Sequence, residues 1–188
     1  MTDLITLADV KLYSGINSTN SDAVILNLIP KISLLIKNYC GRSLIDYYSV
    51  PKVEVYSGGS AGLIPQEFPL KEVVLFEYSS DYGKTYTPLV EYTDYVVNKE
   101  FDSLEPTGVF EFPKATNGYR ITYTGGYEFT PEDLKLAAMD LVTYYMQSDM
   151  AVKSTRSPGA NSTQIEYVLN ATLPAHIRRV LDTYRLIL

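Results

Sequence analysis

The stretch from Gly118 to Gln147, GYRITYTGGYEFTPEDLKLAAMDLVTYYMQ, constrains the fold more than any other part of the chain. Tyr119 to Thr124 alternates and is rich in β-branched and aromatic residues, the signature of a strand. Gly125-Gly126 ends it, because glycine accepts positive φ without steric cost. Thr130 is a capping residue, Pro131 suits a first helical position, and Glu132 and Asp133 sit favourably at the positive end of a helix. Leu134, Ala137, Ala138, Leu141, Val142 and Tyr145 then recur at helical spacing. A sheet hands the chain straight to a packed helix, so the fold must combine both element types.

The rest of the chain supplies three more helices and a β-rich block. Thr6 with Asp9 reads as a capping box for a short helix carrying Leu7, Val10 and Tyr13, stopped by Gly15. A second helix starts near Ser21-Asp22 and ends at Gly41. Its stripe of Ile25, Leu28, Ile29, Ile32, Leu35, Ile36 and Tyr39 predicts a buried face, and Pro30 inside it is expected to bend it. From about Tyr47 the period changes. Lys52 to Tyr56, Glu72 to Tyr78, Tyr95 to Val97, Gly108 to Phe112 and Tyr119 to Thr124 read as short strands separated by turns, with Gly83 closing a hairpin turn at Ser79–Lys84. Ser148 to about Thr172 is a long polar connection, with Ser154 to Ser162 expected to be flexible and Gln164 to Leu169 able to form a strand if given an edge. A last helix from Leu173-Pro174 buries Ile177, Val180, Leu181 and Tyr184 and carries Arg178, Arg179 and Arg185. The predicted fold is α+β: about four helices forming a small core, with an antiparallel sandwich or barrel-like insertion between helices two and three. The expected organisation is residues 1–46 and 128–188 as the helical core, the latter with a flexible loop at about 150–170, and residues 47–127 as the β insertion.

Composition narrows the function. The chain has 188 residues and a net charge of −6, with one cysteine and one histidine. Residues 46–149 hold seven basic and seventeen acidic side chains, while residues 150–188 hold five basic and two acidic ones. Affinity for phosphate rests on clustered Lys and Arg, so the acidic block argues against a simple nucleic-acid-binding surface. Cys40 alone excludes an internal disulfide; it reads as an inert thiol at a helix end in a protein made in a reducing cytoplasm. The N-terminus carries Asp3 and Asp9 and no signal-peptide pattern, and no apolar run is expected to span a membrane. His176 stands near Arg178 and Arg179 without a ligand-spaced partner. Ser57 to Gly62 is glycine-rich but lacks the lysine and helix of a phosphate loop. These residues offer no catalytic, metal or cofactor site, and an enzyme is not expected. Tyrosine is the outlier: 17 Tyr with no Trp, eleven of them between Tyr47 and Tyr127. Most fit half-buried sheet positions, and a minority could form a contact surface.

Four segments together resemble the head–tail connector proteins of tailed bacteriophages, also called adaptor or head-completion proteins. The first is Leu4-Ile5-Thr6-Leu7 through Val10-Lys11-Leu12-Tyr13 to Ile16. The second is the acidic start and long apolar helix closing on Tyr39, Gly41 and Arg42. The third runs from Ile121-Thr-Tyr-Thr-Gly-Gly-Tyr127 to Leu134 and Ala137-Ala138, and the fourth from Leu173-Pro174 through Ile177 and Leu181 to Tyr184-Arg185. The resemblance implies a structural virion protein without catalysis or cofactor, in the neck between portal vertex and tail. It implies a homo-oligomeric ring of about twelve subunits under the portal. Its partners would be the portal protein, a stopper, tail-completion or tail protein, and genomic DNA sliding past without sequence-specific binding; no membrane is involved. An acidic wall would repel DNA and let it slide. Ile25, Ile29, Ile32 and Ile36 are expected to divide between the subunit core and neighbour contacts, and Arg178, Arg179, Tyr184 and Arg185 to meet the portal. The free chain is expected to be monomeric if ring closure needs the portal as template. Two alternatives remain at this point: a Tyr-rich β-sandwich binding module with aromatic residues on one exposed sheet face, and another neck or tail-completion protein.

Overall fold

Local sequence rules decide the first helix. In α1 (Leu7–Ser14) the Thr6 side chain accepts from the Asp9 amide while Asp9 accepts from the Thr6 amide, and Gly15 closes the helix in the left-handed region at φ 66°. The computed structural model describes residues 1–109, 111–147, 153–155, 164–166 and 173–186. The chain divides into two compact units: Met1–Thr2 with Arg42–Thr130, and Asp3–Gly41 with Pro131–Leu188.

The helical unit packs α2 (Asp22–Cys40) against α1, α3 (Glu132–Gln147) and α4 (Ala175–Tyr184), and α3 against α1 and α4 as well. Helix α2 runs unbroken through Pro30, which lies on its exposed side. Its buried stripe is Ile25, Ile29, Ile32, Ile36 and Cys40. Opposing it are Val10 of α1, Leu134, Ala137, Ala138, Leu141 and Val142 of α3, and Ile177 and Leu181 of α4, all buried. The buried Ser33 hydroxyl accepts from the Leu4 amide at 3.0 Å, tying the N-terminal segment to the middle of α2. By length and composition α2 could cross a membrane, at 19 residues and a mean hydropathy of 1.3. The expectation that no segment reaches that threshold is corrected here. Burial of its isoleucines against three other helices accounts for the apolar sequence, since a core helix passes the same test.

The β unit is built on a four-stranded antiparallel sheet in the order β1-β6-β2-β3, formed by Lys52–Tyr56, Tyr119–Gly125, Leu70–Tyr78 and Thr87–Pro88. A second pair, β4 (Tyr95–Asn98) with β5 (Ser103–Pro106), contributes Tyr95 and Leu104 to the same core as Phe76, Tyr119, Ile121 and Tyr123. The sheet is open, with β1 and β3 at its edges, so no closed barrel forms. Gly108–Phe112 was expected to be a strand, but its described residues are not. Gly108 takes φ 75°, and Phe112 turns inward as an anchor whose amide donates to the Ser60 carbonyl at 2.9 Å. The strand lies just before it, at β5. The Ser79–Lys84 turn forms as expected. Asp81 organises it, accepting from the Lys84 and Thr85 amides at 3.0 and 2.9 Å.

Within the long polar connection, β7 (Lys153–Thr155) pairs antiparallel with β8 (Gln164–Glu166). The remainder of the stretch expected to be flexible, including residues 156–162 and 167–169, lies outside the described residues.

Candidate functional site

The residues singled out by the sequence, with the side chains around them, fall into three groups. The first is α4. Pro174 precedes it, and Ile177 and Leu181 face the core. Arg178, Arg179 and Arg185 are exposed. Arg185 lies over the Tyr39 ring at 5.7 Å, and Arg178 donates to the Leu173 carbonyl at 3.4 Å. The helix is braced by two phenols: Tyr39 donates to Asp182 at 2.6 Å, and Tyr184 donates to Asp133 of α3. Tyr184 is half-buried and anchors α4, while Arg178 and Arg179 on the helix and Arg185 just past its end carry the outer charge, beside the exposed His176. His176 lies 3.8 Å from the Asp140 carboxylate.

The second group is α2. All four of Ile25, Ile29, Ile32 and Ile36 are at most 3% exposed within the helical unit. Outside that stripe Leu34 lies on the opposite side of the helix and Val24 and Leu26 on its two flanks, each exposed, and Leu12 of α1 is 88% exposed. With Leu136 of α3 and Tyr13 of α1, each 45% exposed, they are among the described apolar side chains of the unit that a neighbouring chain can reach.

The third group is a charged node in the β unit, where three of the sequence segments singled out above converge. Gly41 ends α2 at φ 69°, and Arg42 follows. The Arg42 guanidinium lies 3.5 Å from the Phe68 ring centroid and 5.6 Å from that of Tyr127, and donates to the Phe68 carbonyl. Its Nε is 4.0 Å from Glu67. The Glu67 carboxylate accepts from the Ser43 and Leu44 amides at 2.9 and 3.1 Å and from Lys52 Nζ at 3.0 Å. Lys52 also pairs with Glu54 at 2.8 Å, and Glu54 accepts from the phenols of Tyr56 and Tyr123. Burial alone would raise the Glu54 carboxyl. The hydrogen bonds from Lys52 and Tyr56 outweigh it and hold the group below its ordinary range. Burial alone would likewise lower Lys52, and its two carboxylate partners raise it instead.

The double glycine closes this node. The amides of Gly125, Gly126 and Tyr127 donate to the carbonyls of Tyr47, Pro69 and Leu44 at 3.1, 3.0 and 2.8 Å. A Cβ at Gly125 would stand 2.1 Å from the Glu67 carbonyl oxygen, and one at Gly126, where φ is 88°, 2.2 Å from that of Leu44. The backbone approach that follows the last sheet strand therefore admits glycine alone at both positions. Arg42 and Gly125-Gly126 were visible as motif residues. Tyr123 stood in the same motif, but nothing in local spacing marks it, Glu67, Lys52 or Glu54 as partners.

Other residues noted in the sequence have simpler surroundings. Cys40 is a buried thiol at the end of α2, lying 3.7 Å from the Leu181 carbonyl. Tyr95, Tyr119 and Tyr123 lie in the sheet core, while Tyr82 and Tyr92 stand 76% and 79% exposed. Among the described residues, no group of three or more His, Cys, Asp or Glu could hold a metal.

A head completion protein model matches residues 3–187. The chain belongs to the head completion protein family. The fold agrees with structures of neck components. It is similar to a chain in the neck of an empty gene transfer agent (GTA) particle computed with C6 symmetry. That match has a TM-score of 0.57 at 17% identity, over 98% of this chain and 90% of that one. A chain in the virion of a native GTA particle gives 0.58 at 14% identity, over 98% and 90%. A chain in the neck of the native particle computed with C12 symmetry gives 0.55 at 15%, over 99% and 94%. At these identities the likeness is one of fold. No curated protein matches in sequence. As a head completion protein, the chain is a structural component of a phage virion, in the neck between head and tail.

Proposed function

We propose that the chain closes into a ring beneath the portal, extends the DNA channel and offers the surface on which a stopper or tail protein docks. The observation that carries this reading is the family match over residues 3–187, joined to a fold likeness spanning 98% of the chain with a component of a particle neck. One of the similar necks was computed with C12 symmetry, and twelve subunits is the number proposed here. A ring needs two different complementary surfaces on each subunit. The exposed Val24, Leu26 and Leu34 on α2 supply an apolar one, backed by the Ile25, Ile29, Ile32 and Ile36 core. Arg178 and Arg179, on a helix anchored by Tyr184, and Arg185 just past its end form the contact with the portal. The excess of acidic side chains over residues 46–149 suits a wall past which DNA slides, because unpaired carboxylates repel phosphate. The role is structural and non-catalytic.

Electron microscopy of the particle neck tests the proposal. The expected map shows this chain as a closed ring on the portal–tail axis with the α4 arginines against the portal. Density for the chain elsewhere in the particle, or as isolated copies off the axis, overturns it.

A further inference from the structure

The β unit repeatedly builds one constellation, a carboxylate and an aromatic ring closing on a cation. Arg120 meets Glu77 with two hydrogen bonds, at 2.7 and 2.9 Å, and stacks over Tyr86 at 4.0 Å. Arg42 stacks on Phe68 beside Glu67. Lys52 lies between Glu54 and Glu67, 5.2 Å from the Tyr47 ring. A fourth carboxylate–aromatic grouping has no cation. Tyr78, Tyr119, Phe112, Pro106 and Pro113 line a pocket of about 250 Å³ whose remaining wall includes Asp94. Among the described residues Asp94 has no ion-pair partner. One carboxylate oxygen accepts from the Val90 amide at 2.7 Å.

The pocket is built rather than incidental. The Asp94 backbone is held on both sides, its amide donating to the Val90 carbonyl at 2.8 Å and its carbonyl accepting from the Thr107 amide at 3.0 Å. The Tyr78 and Tyr119 rings lie 5.2 Å apart, and the Tyr119 hydroxyl is committed to the Pro113 carbonyl at 3.2 Å. The described segments that supply the rim, residues 89–95, 105–109 and 111–114, also carry Glu91, Glu105 and Glu111. Their single basic residue, Lys114, lies against Gly59. Val90 and Val109 stand exposed on the same segments.

We infer that this pocket receives an arginine side chain from an extended segment of another neck protein. Phe112 and Tyr119 are 3% and 2% exposed and form the floor, so the ring a ligand can reach is the half-buried Tyr78. That ring, a fixed carboxylate and an acidic rim together select a planar cation, because guanidinium stacks on an aromatic face and pairs with carboxylates in one geometry. The volume accommodates one long side chain, and the exposed valines and prolines receive the apolar backbone neighbours of that arginine. The site adds a specific contact to the neck reading and does not depend on ring closure. The free chain is therefore the reagent for its test, and failure of the test leaves the neck assignment standing.

The probe is the peptide acetyl-Pro-Pro-Arg-Pro-Pro-amide, titrated into the full-length chain labelled with nitrogen-15, with its citrulline counterpart as control. The expected result is saturable movement of the amide signals of Tyr78, Asp94, Thr107 and Tyr119 with the arginine peptide and about tenfold weaker movement with citrulline. Asp94→Asn keeps an oxygen for the Val90 amide and is expected to lose the preference for arginine. Tyr78→Leu is expected to weaken binding of the arginine peptide by a similar factor. Circular dichroism checks that both variants are folded. No movement at these amides, equal binding of both peptides, or an unchanged preference in folded Asp94→Asn each overturns the inference. Sedimentation of wild type and Asp94→Asn without peptide is expected to coincide. Self-association lost in the variant would assign the pocket to a second copy of this chain and overturn it likewise.

Discussion

At the scale of single residues, the node around Glu67 shows how a short motif acquires its meaning. Gly125 and Gly126 are adjacent in sequence but restricted by different neighbours, the Glu67 and Leu44 carbonyls. Both contacts are with backbone, which cannot step aside as a side chain can. Gly125→Ala and Gly126→Ala are each expected to cost about 3 kcal/mol or more. Gly15 also has a positive φ, of 66°, but open space around it, so Gly15→Ala is expected to cost only about 1 kcal/mol. Urea unfolding of the three variants checks the contrast, and equal losses would refute the packing argument. Glu54 supplies a pH test. Its folded carboxyl is held below the ordinary value of 4.5, so the unfolded chain binds the proton more readily. Stability from this group is present above about pH 4.5 and is lost as pH falls through the folded value. Glu54→Gln is expected to be less stable at neutral pH and to show a shallower loss between about pH 4.5 and pH 3 in thermal unfolding. Parallel curves for variant and wild type would remove Glu54 from the acid response.

At the scale of elements, α2 separates stability from assembly on its two sides. Ile32 is 3% exposed among the helices of its unit, whereas Leu34 is 42% exposed. Ile32→Ala is expected to cost about 3 kcal/mol in urea unfolding of the free chain, by leaving a cavity. Leu34→Ser is expected to change stability by no more than about 0.5 kcal/mol and to reduce co-assembly with the portal. Normal assembly of Leu34→Ser would move the neighbour contact to another face. Periodicity identified which residues of α2 are apolar, and capping placed the ends of α1. The β block was read less completely. Gly108–Phe112 read as a strand, but Gly108 takes a positive φ, Phe112 turns inward, and its described residues form no strand. Ser103–Pro106, with a serine and a proline among four residues, pairs with β4 because Leu104 is drawn into the core.

At the scale of the whole molecule, charge is the property that acts at a distance. The chain is acidic overall, but Arg178 and Arg179 on its last helix and Arg185 just past it are exposed, and complementary charge governs encounter rate and orientation more than final affinity. Changing Arg178, Arg179 and Arg185 together to glutamate is expected to slow co-assembly with the portal several-fold at low salt, with a smaller difference at high salt, where exposed charges are screened. The fold should be preserved, since none of the three is buried. Light scattering with purified portal at two salt concentrations reads the effect. Equal rates for variant and wild type at both concentrations, with the fold intact, would mean that α4 does not make the portal contact.

The sequence by itself determined what depends on neighbours along the chain: the capped α1, the stripe of α2, the strand–glycine–helix passage into α3, the amphipathic α4 and the order of segments that marks the family. Those features are legible because helix and strand periods, caps and positive-φ glycines act within a few residues. Only the tertiary structure decided which glycine meets which carbonyl, that Arg42, Glu67, Lys52 and Glu54 share one network, and that Asp94 lines an aromatic pocket. Glu67 reaches Leu44 across 23 positions, and Tyr123 reaches Glu54 across 69. Contacts at such separations are set by how the sheet and its loops pack, and no local spacing encodes them.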